Sequence, residues 1–378
     1  MSTHEHILQD SARRMGARIR AARESAGMTQ AQLSEALGFA DRQTLSTIEN
    51  GDRRVQAAEL VRASQVLGHA IDWFIDPFVV TGEARFSWRV AQTVPDALLD
   101  EFESRIGQLV GLMRHLKVAL HGPSRALTPM LRIPPHPTFE DAWAWGEAVA
   151  QELELGTIPS EKLVDHIERK LDISVLFIDA EVAMDPKDIS GAMCRLSDLG
   201  VIVINRQEST VRRNFDVAHE LFHALTWDAM PPDRRDPSDQ PAGKRVPRIE
   251  QLADNFAAAV LMPKATLDKL IPQEHLTDAA YLASVARELQ VSTGALAYRL
   301  LNAKMIDKSI CDALREVYTP KARTEMPKLL SASFATLLHD GIAHGHVSAR
   351  KAAKALSMRL DQLAELMTEH GKAVPFSM

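Results

Sequence analysis

Residues 212–225 read RRNFDVAHELFHAL and contain the pattern H-E-x-x-H at His219, Glu220 and His223. Residues four apart on an α-helix lie on the same face, so both imidazoles can reach one metal ion. Glu220 then lies beside the metal, where a carboxylate can remove a proton from water. The other side chains around the motif are mostly apolar. This pattern predicts a buried helix that exposes only its metal-binding face.

A second segment, RIEQLADNFAAAVLMP at 248–263, supplies carboxylates for the same site. Its apolar residues follow helical spacing. A catalytic zinc ion needs a third protein ligand and one open position. Glu250 and Asp254 are four residues apart, so one carboxylate can bind the metal while the other holds a ligand histidine from behind. The spacing alone leaves open which residue takes which part.

Together the two segments resemble the ImmA/IrrE family of gluzincin-like metallopeptidases, across about residues 140–305. The resemblance implies an α+β zincin-like domain with Glu250 as the third ligand, which leaves Asp254 to hold a ligand histidine and Glu220 to act as the general base. It also implies that Zn²⁺ is held by His219, His223 and Glu250. Members of this family commonly occur with Xre-type regulators, and some cleave such a regulator under stress.

The N-terminal residues 12–75 are expected to form an all-α domain of short helices separated by glycines. Thr29 and Asp41 are predicted to cap helices at 30–37 and 42–50. The sequence TQAQLSEALGFADRQTLSTIENGDRRV resembles the Xre/Cro-type helix-turn-helix of phage and bacterial repressors, although its turn FADR is one residue longer than usual. A small helical bundle that makes only protein contacts is the alternative interpretation.

The helix-turn-helix resemblance places the second helix in the major groove of DNA. Arg42 and Gln43 are then expected to read bases, because Arg pairs with guanine and Gln with adenine. Thr44 and Thr47 can contact a base edge or a thymine methyl group. Further candidate contacts, at phosphates or beside the reading helix, are Arg18, Gln30, Arg53 and Arg54.

Residues 76–138 are expected to be a helical connector and linker, with few structural signals before Pro95. A long helix follows, and its apolar positions have heptad spacing: Leu99, Phe102, Ile106, Leu109, Met113, Leu116 and Leu120. This helix can pack on a neighbouring domain or form a dimeric coiled coil. Residues 139–305 are expected to form the peptidase-like domain, and 306–378 a helical C-terminal module.

Composition adds general limits. The chain has 378 residues, a net charge of -6 and two cysteines, so several domains without a disulfide framework are expected. The absence of a long apolar run excludes a membrane span, and we expect a cytoplasmic protein. The sequence thus favours a multidomain transcriptional regulator that binds an operator, as a homodimer, and cleaves a regulatory protein with zinc. That substrate is a repressor, a partner or the chain itself, in a stress, toxin–antitoxin or phage-type response. The alternative is a non-catalytic repressor or antitoxin whose zinc domain senses a ligand or metal.

Overall fold

A computed structural model describes residues 3–122, 131–180, 188–237, 246–317 and 326–377, with the backbone only for 3–10. The N-terminal helices are α1 (Thr3–Ser25), α2 (Gln30–Ala36), α3 (Arg42–Glu49), α4 (Ala57–Leu67) and α5 (Ile71–Ile75). The five strands are β1 (Arg85–Val90), β2 (Ser174–Ile178), β3 (Ile189–Arg195), β4 (Gly200–Asn205) and β5 (Arg235–Pro237).

The remaining helices cover the sheet and form the C-terminal part of the chain. They are α6 (Asp96–His121), α7 (Phe139–Glu152), α8 (Pro159–Leu171), α9 (Thr210–Thr226), α10 (Arg248–Leu261), α11 (Lys264–Leu270), α12 (Ala279–Glu288), α13 (Thr293–Asn302), α14 (Lys308–Glu316), α15 (Ala332–Ala343), α16 (Ala349–Ala355) and α17 (Leu360–Glu369). A 3₁₀ turn lies at Gln273–His275. Within the described ranges, none of these helices has the length and hydrophobicity that a bilayer crossing requires.

The N-terminal region is the expected helix-turn-helix unit. Thr29 caps α2 by accepting a hydrogen bond from the Gln32 amide, and Asp41 caps α3 by accepting one from the Thr44 amide at 2.8 Å. The second helix therefore begins at Arg42, the predicted residue, despite the long turn. Leu33 and Leu45 are fully buried between these helices and α1.

The sheet is mixed, in the order β2-β4-β3-β1-β5. Successive side chains of a strand point to opposite faces, and two cores result. One face of the sheet packs on α9 and α10, with Met193 and Ile202 in that core. The other face packs on α6 and α15, with Cys194 and Val203 there. Both faces are thus covered by helices, which is the α+β arrangement that was expected.

Strand β1 corrects the expectation that the segment after Asp76 is only a connector. It lies between β3, with which it pairs antiparallel, and β5, with which it pairs parallel. Phe86, Trp88 and Val90 point into the core under α6. Alternation therefore directs Ser87 and Arg89 to the opposite face, toward α9. A segment from the predicted connector thus forms part of the sheet beside the metal-motif helix.

Helix α6 packs inside this chain, which is the first of the two alternatives. Six of its seven heptad positions are buried, and only Leu120 is partly exposed. The Trp88 and Phe102 rings meet edge to face at 5.3 Å, and α15 covers the helix from the other side. These side chains cannot form a dimeric seam, because the same chain already buries them. The C-terminal helices α15–α17 accordingly share the core of α6.

Candidate functional site

The metal motif lies on α9, which begins at the cap Ser209 and is buried from Asp216 onward. His219 and His223 are each 1% exposed and stand one turn apart on the helix. The face that carries them meets α10, and Glu250 lies in the first turn of that helix. Two successive helices thus bring three donor groups together in one buried site.

The three donor atoms have the spacing of a metal site. The Nε2 atoms of His219 and His223 are 3.2 Å apart, and Oε2 of Glu250 lies 3.1 Å from the first and 3.3 Å from the second. Ligands of a tetrahedral zinc ion, about 2.0–2.1 Å from the metal, are themselves about 3.3–3.4 Å apart. Among the described residues, these three form the one His/Cys/Asp/Glu cluster of this kind. The donor set therefore fits zinc and provides three of the four ligands of a tetrahedral site.

Burial and hydrogen bonds shift the pKa values of the three donor groups in different directions. Burial and the nearby Arg89 lower the pKa of His219, but hydrogen bonds to Asp254 and Glu250 outweigh them and raise it to about 10. Burial raises the pKa of Glu250, yet its hydrogen bonds to the two histidines bring that pKa well below its usual range. Burial lowers the pKa of His223. The pocket therefore favours a positive charge, either a proton or a cation, between these groups.

Glu220 follows His219 on α9 and is 2% exposed. Its Oε2 atom is buried and has no hydrogen-bond partner among the described residues. Burial raises the pKa of Glu220 to about 8, although the neighbouring His219 opposes this shift. A buried carboxylate with a free oxygen is costly unless something else contacts it. Glu220 thus has one buried oxygen without a hydrogen-bond partner among the described residues.

Asp254 lies behind His219, one turn along α10 from Glu250. Its Oδ1 atom is 2.9 Å from Nδ1 of His219, the ring nitrogen opposite the one that faces Glu250. Such a contact fixes the orientation and tautomer of a ligand histidine. The two carboxylates thus contact opposite nitrogens of the His219 ring, Glu250 at Nε2 beside His223 and Asp254 at Nδ1.

Arg89 and Asp236 also belong to this site, and sequence reasoning missed both. Arg89 of β1 is surrounded by three carboxylates, those of Asp216 at 3.4 Å, Asp236 at 3.6 Å and Asp254 at 3.7 Å. These charges raise the pKa of Arg89 despite its burial. Oδ2 of Asp236 is 3.8 Å from Nε2 of His219, and burial together with Glu250 raises the pKa of Asp236 to about 6. The signal in the sequence that could have found Arg89 is the alternation along β1, which places it on the face of the sheet toward α9.

The DNA-reading candidates lie at the start of α3. Arg42 and Gln43 are exposed, while Thr44 and Thr47 are partly buried. The Thr44 hydroxyl donates to Asp41, and the Thr47 hydroxyl donates to the Thr44 carbonyl at 2.9 Å. Two exposed side chains thus extend from the first turn, and the threonines beside them are held by local hydrogen bonds.

The structure corrects the expected phosphate contact of Arg18. This side chain is 2% exposed, and its guanidinium donates to the carbonyls of Phe74, at 2.8 Å, and Val79. It joins α1 to the end of the helical domain and cannot reach DNA. Arg54 is exposed and stays a candidate, whereas Arg53 is partly buried in a two-point ion pair with Glu59.

Glu49 is a buried hub of the helix-turn-helix unit, and the sequence analysis did not single it out. The Glu49 carboxylate accepts hydrogen bonds from the Arg23 guanidinium at 2.7 Å and from the side-chain amide of Gln30 at 2.8 Å. Gln30 is thus partly occupied in fixing α2 against α3. The hub ties three helices together and so sets the angle at which Arg42 and Gln43 are presented.

Comparison with known families agrees with these two sites. Residues 19–74 match the family model described as "Helix-turn-helix", and residues 168–301 match that of the "IrrE N-terminal-like domain". The first match contains α3, which carries Arg42 and Gln43, and the second contains the H-E-x-x-H motif of α9 and Glu250. Strand β1, with Arg89, lies outside both matched ranges.

One curated relative is the "Radiation response metalloprotease IrrE" of Deinococcus deserti. It is 37% identical over 102 residues, which are 26% of this chain and 35% of that protein. The similarity therefore spans about a third of the relative's length. No solved structure matches this chain significantly.

Proposed function

We propose that this protein is a DNA-binding transcriptional regulator whose central domain is a zinc-dependent endopeptidase. The observation that carries the proposal is the set of three donor atoms 3.1–3.3 Å apart, with Glu220 on the same helix. A helix-turn-helix unit in the same chain connects this site to DNA. The proposed substrate is a regulatory protein, namely a repressor, a partner or this chain itself. The radiation response for which the IrrE relative is named supports a stress response as the setting.

Each residue of the site has a defined part in the proposed mechanism. His219, His223 and Glu250 hold the metal, and Asp254 keeps the His219 ring in position. Bound zinc supplies Lewis acidity, which makes water more acidic and polarises a peptide carbonyl. Glu220 accepts the proton from the attacking water and passes it to the amine that leaves. The surrounding apolar core keeps bulk water out, which strengthens these electrostatic interactions.

We propose further that two copies of the chain bind a two-fold-related operator. Arg42 and Gln43 contact base edges, Thr44 and Thr47 support them, and Arg54 contacts phosphate. The tether to DNA keeps the peptidase near other regulators at the same operator. The heptad positions of α6 are buried within one chain, so a dimer must use another surface.

The central experiment compares full-length protein with the Glu220→Gln variant. Both are loaded with Zn²⁺, their metal content is measured, and they are incubated alone and with a peptide library made from a digested bacterial proteome. We expect one zinc per chain in both proteins and new peptide termini only with the unmodified chain, because Gln cannot accept the proton.

A third variant, His223→Ala, controls for the metal and should lose both zinc and cleavage. Cleavage that persists in Glu220→Gln would remove that residue as the base. Full zinc occupancy with no cleavage in any protein would refute the peptidase and favour a metal- or ligand-sensing regulator. Operator sites selected from random duplexes test the DNA-binding part independently.

A further inference from the structure

Asp236 approaches the metal-facing side of His219. Its Oδ2 atom lies 3.8 Å from Nε2, the same nitrogen that faces His223 and Glu250. The side chain is only 9% exposed, so it points into the site. Asp254, by contrast, meets the opposite ring nitrogen of His219. Asp236 is therefore the carboxylate best placed to become a fourth ligand of a metal ion held by His219, His223 and Glu250.

Arg89 competes for the same oxygen of Asp236. Its Nε atom is 3.6 Å from Oδ2, which is too long for a hydrogen bond, and Nε has no hydrogen-bond partner among the described residues. Oδ2 thus lies between a fixed guanidinium and the nitrogen that would bind a metal. Asp236 lies outside the cluster formed by the three donors. To contact a metal ion held by the three donors, the Asp236 side chain would have to rotate.

Strand β5 is paired with β1, with Asp236 opposite Arg89, and the residues just before β5 are also bonded to β1, so a side-chain rotation does not require the strand to move. The Trp88 amide donates to the Arg234 carbonyl, and the Ser87 hydroxyl donates to the Asp233 carbonyl, both at 2.8 Å. Arg235 donates to the Val94 carbonyl at 2.8 Å. This strand also occupies the edge of β1, a place where an extended peptide could add to the sheet.

We propose that Asp236 is a fourth, exchangeable ligand of the metal ion. It closes the position that a catalytic zinc ion leaves for water, and it returns to Arg89 when a substrate carbonyl takes that position. Aspartate is an ordinary zinc ligand, and the difference between a closed and a catalytic zinc site is whether the fourth position is open. The inference rests on the metal site of the proposed function.

The test uses full-length protein loaded with Co²⁺, whose visible absorption reports ligand exchange, and acetohydroxamate as the probe. If Asp236 holds the fourth position in about 90% of molecules, its removal increases the apparent probe affinity about tenfold. We expect that gain in Asp236→Asn and a changed cobalt spectrum before the probe is added. Asp236→Glu keeps a carboxylate and should retain the weak binding.

The control is Asp228→Asn, which removes an exposed carboxylate paired with Arg195 at 3.0 Å. It should behave like the unmodified chain. Equal probe affinity and equal spectra in Asp236→Asn and the unmodified protein would refute this inference while the metal site stands. Loss of cobalt from a folded Asp236→Asn would refute exchangeability, since Asp236 would be a permanent ligand. A chain that binds no Co²⁺ or Zn²⁺ would refute the proposed function itself.

Discussion

The contact between Asp254 and His219 predicts how strongly a residue behind the site controls metal affinity. Asp254→Asn keeps the shape of the side chain and an acceptor oxygen, but it removes the negative charge 2.9 Å from Nδ1 of His219. Arg89, 3.7 Å from the same oxygen, then has one carboxylate fewer around it. The ring of His219 becomes less basic and less firmly oriented, while all three donor atoms remain.

Loss of such a partner typically weakens metal binding about 10–100-fold, which is about 1.4–2.7 kcal/mol. We expect a zinc affinity reduced within that range, because Asn can still accept a hydrogen bond from Nδ1. Competition with a chromophoric chelator measures it on the full-length protein. Circular dichroism verifies that the fold is unchanged.

The matched control is Asp268→Asn on α11, where the carboxylate is 53% exposed and pairs with Lys264 at 2.7 Å. It should leave zinc affinity unaltered. A change of less than about threefold in Asp254→Asn, with the fold intact, would show that Asp254 does not position His219. A complete loss of zinc would instead assign Asp254 as a ligand, contrary to the placement of Glu250 on the metal side.

Three further predictions concern the rest of the chain. Arg42→Ala should relax base preference by about 1–3 kcal/mol at one base pair, whereas Arg54→Ala should lower the affinity for all duplexes alike and make that affinity less dependent on salt. Competition binding at several salt concentrations distinguishes the two effects. Equal behaviour of the two variants would mean that α3 is not the helix that reads bases. Arg18→Met should lower the free energy of unfolding by about 1–3 kcal/mol, because two carbonyls lose their donor, and it should leave base preference unchanged. A salt-dependent loss of DNA affinity at unchanged stability would contradict the structural role of Arg18. Ile106→Asp should lower the free energy of unfolding by more than about 3 kcal/mol, since the side chain is 1% exposed. Urea unfolding measures this loss, and light scattering measures the oligomeric state. A variant that kept its stability and only changed from dimer to monomer would contradict the burial of Ile106 within one chain.

Local sequence determined the parts of this protein that depend on short spacing. The i, i+4 histidines of α9 and the carboxylates of α10 face the site because helical geometry relates neighbours three and four residues apart. The caps Thr29 and Asp41 likewise fix where α2 and α3 begin, since each satisfies an amide of the first turn. These features could be predicted without knowing any contact between distant segments.

Heptad spacing, in contrast, left the partner of α6 open. An apolar stripe requires burial but does not specify the surface that buries it. Only the fold shows that the sheet and α15 cover this stripe, with Trp88 of β1 against Phe102. The same uncertainty applied to Arg18, because a basic side chain in sequence gives no sign that two carbonyls distant along the chain will enclose it.

The electrostatic surroundings of the metal site depended on tertiary structure alone. Arg89 lies more than a hundred residues before His219, and its place beside Asp216, Asp236 and Asp254 follows from the pairing of β1 with β3 and β5. Strand pairing joins segments at any sequence separation, so no local pattern encodes which charges will meet. The sequence by itself therefore predicted the histidine and carboxylate groups that meet at this site, and the fold decided which charges surround them.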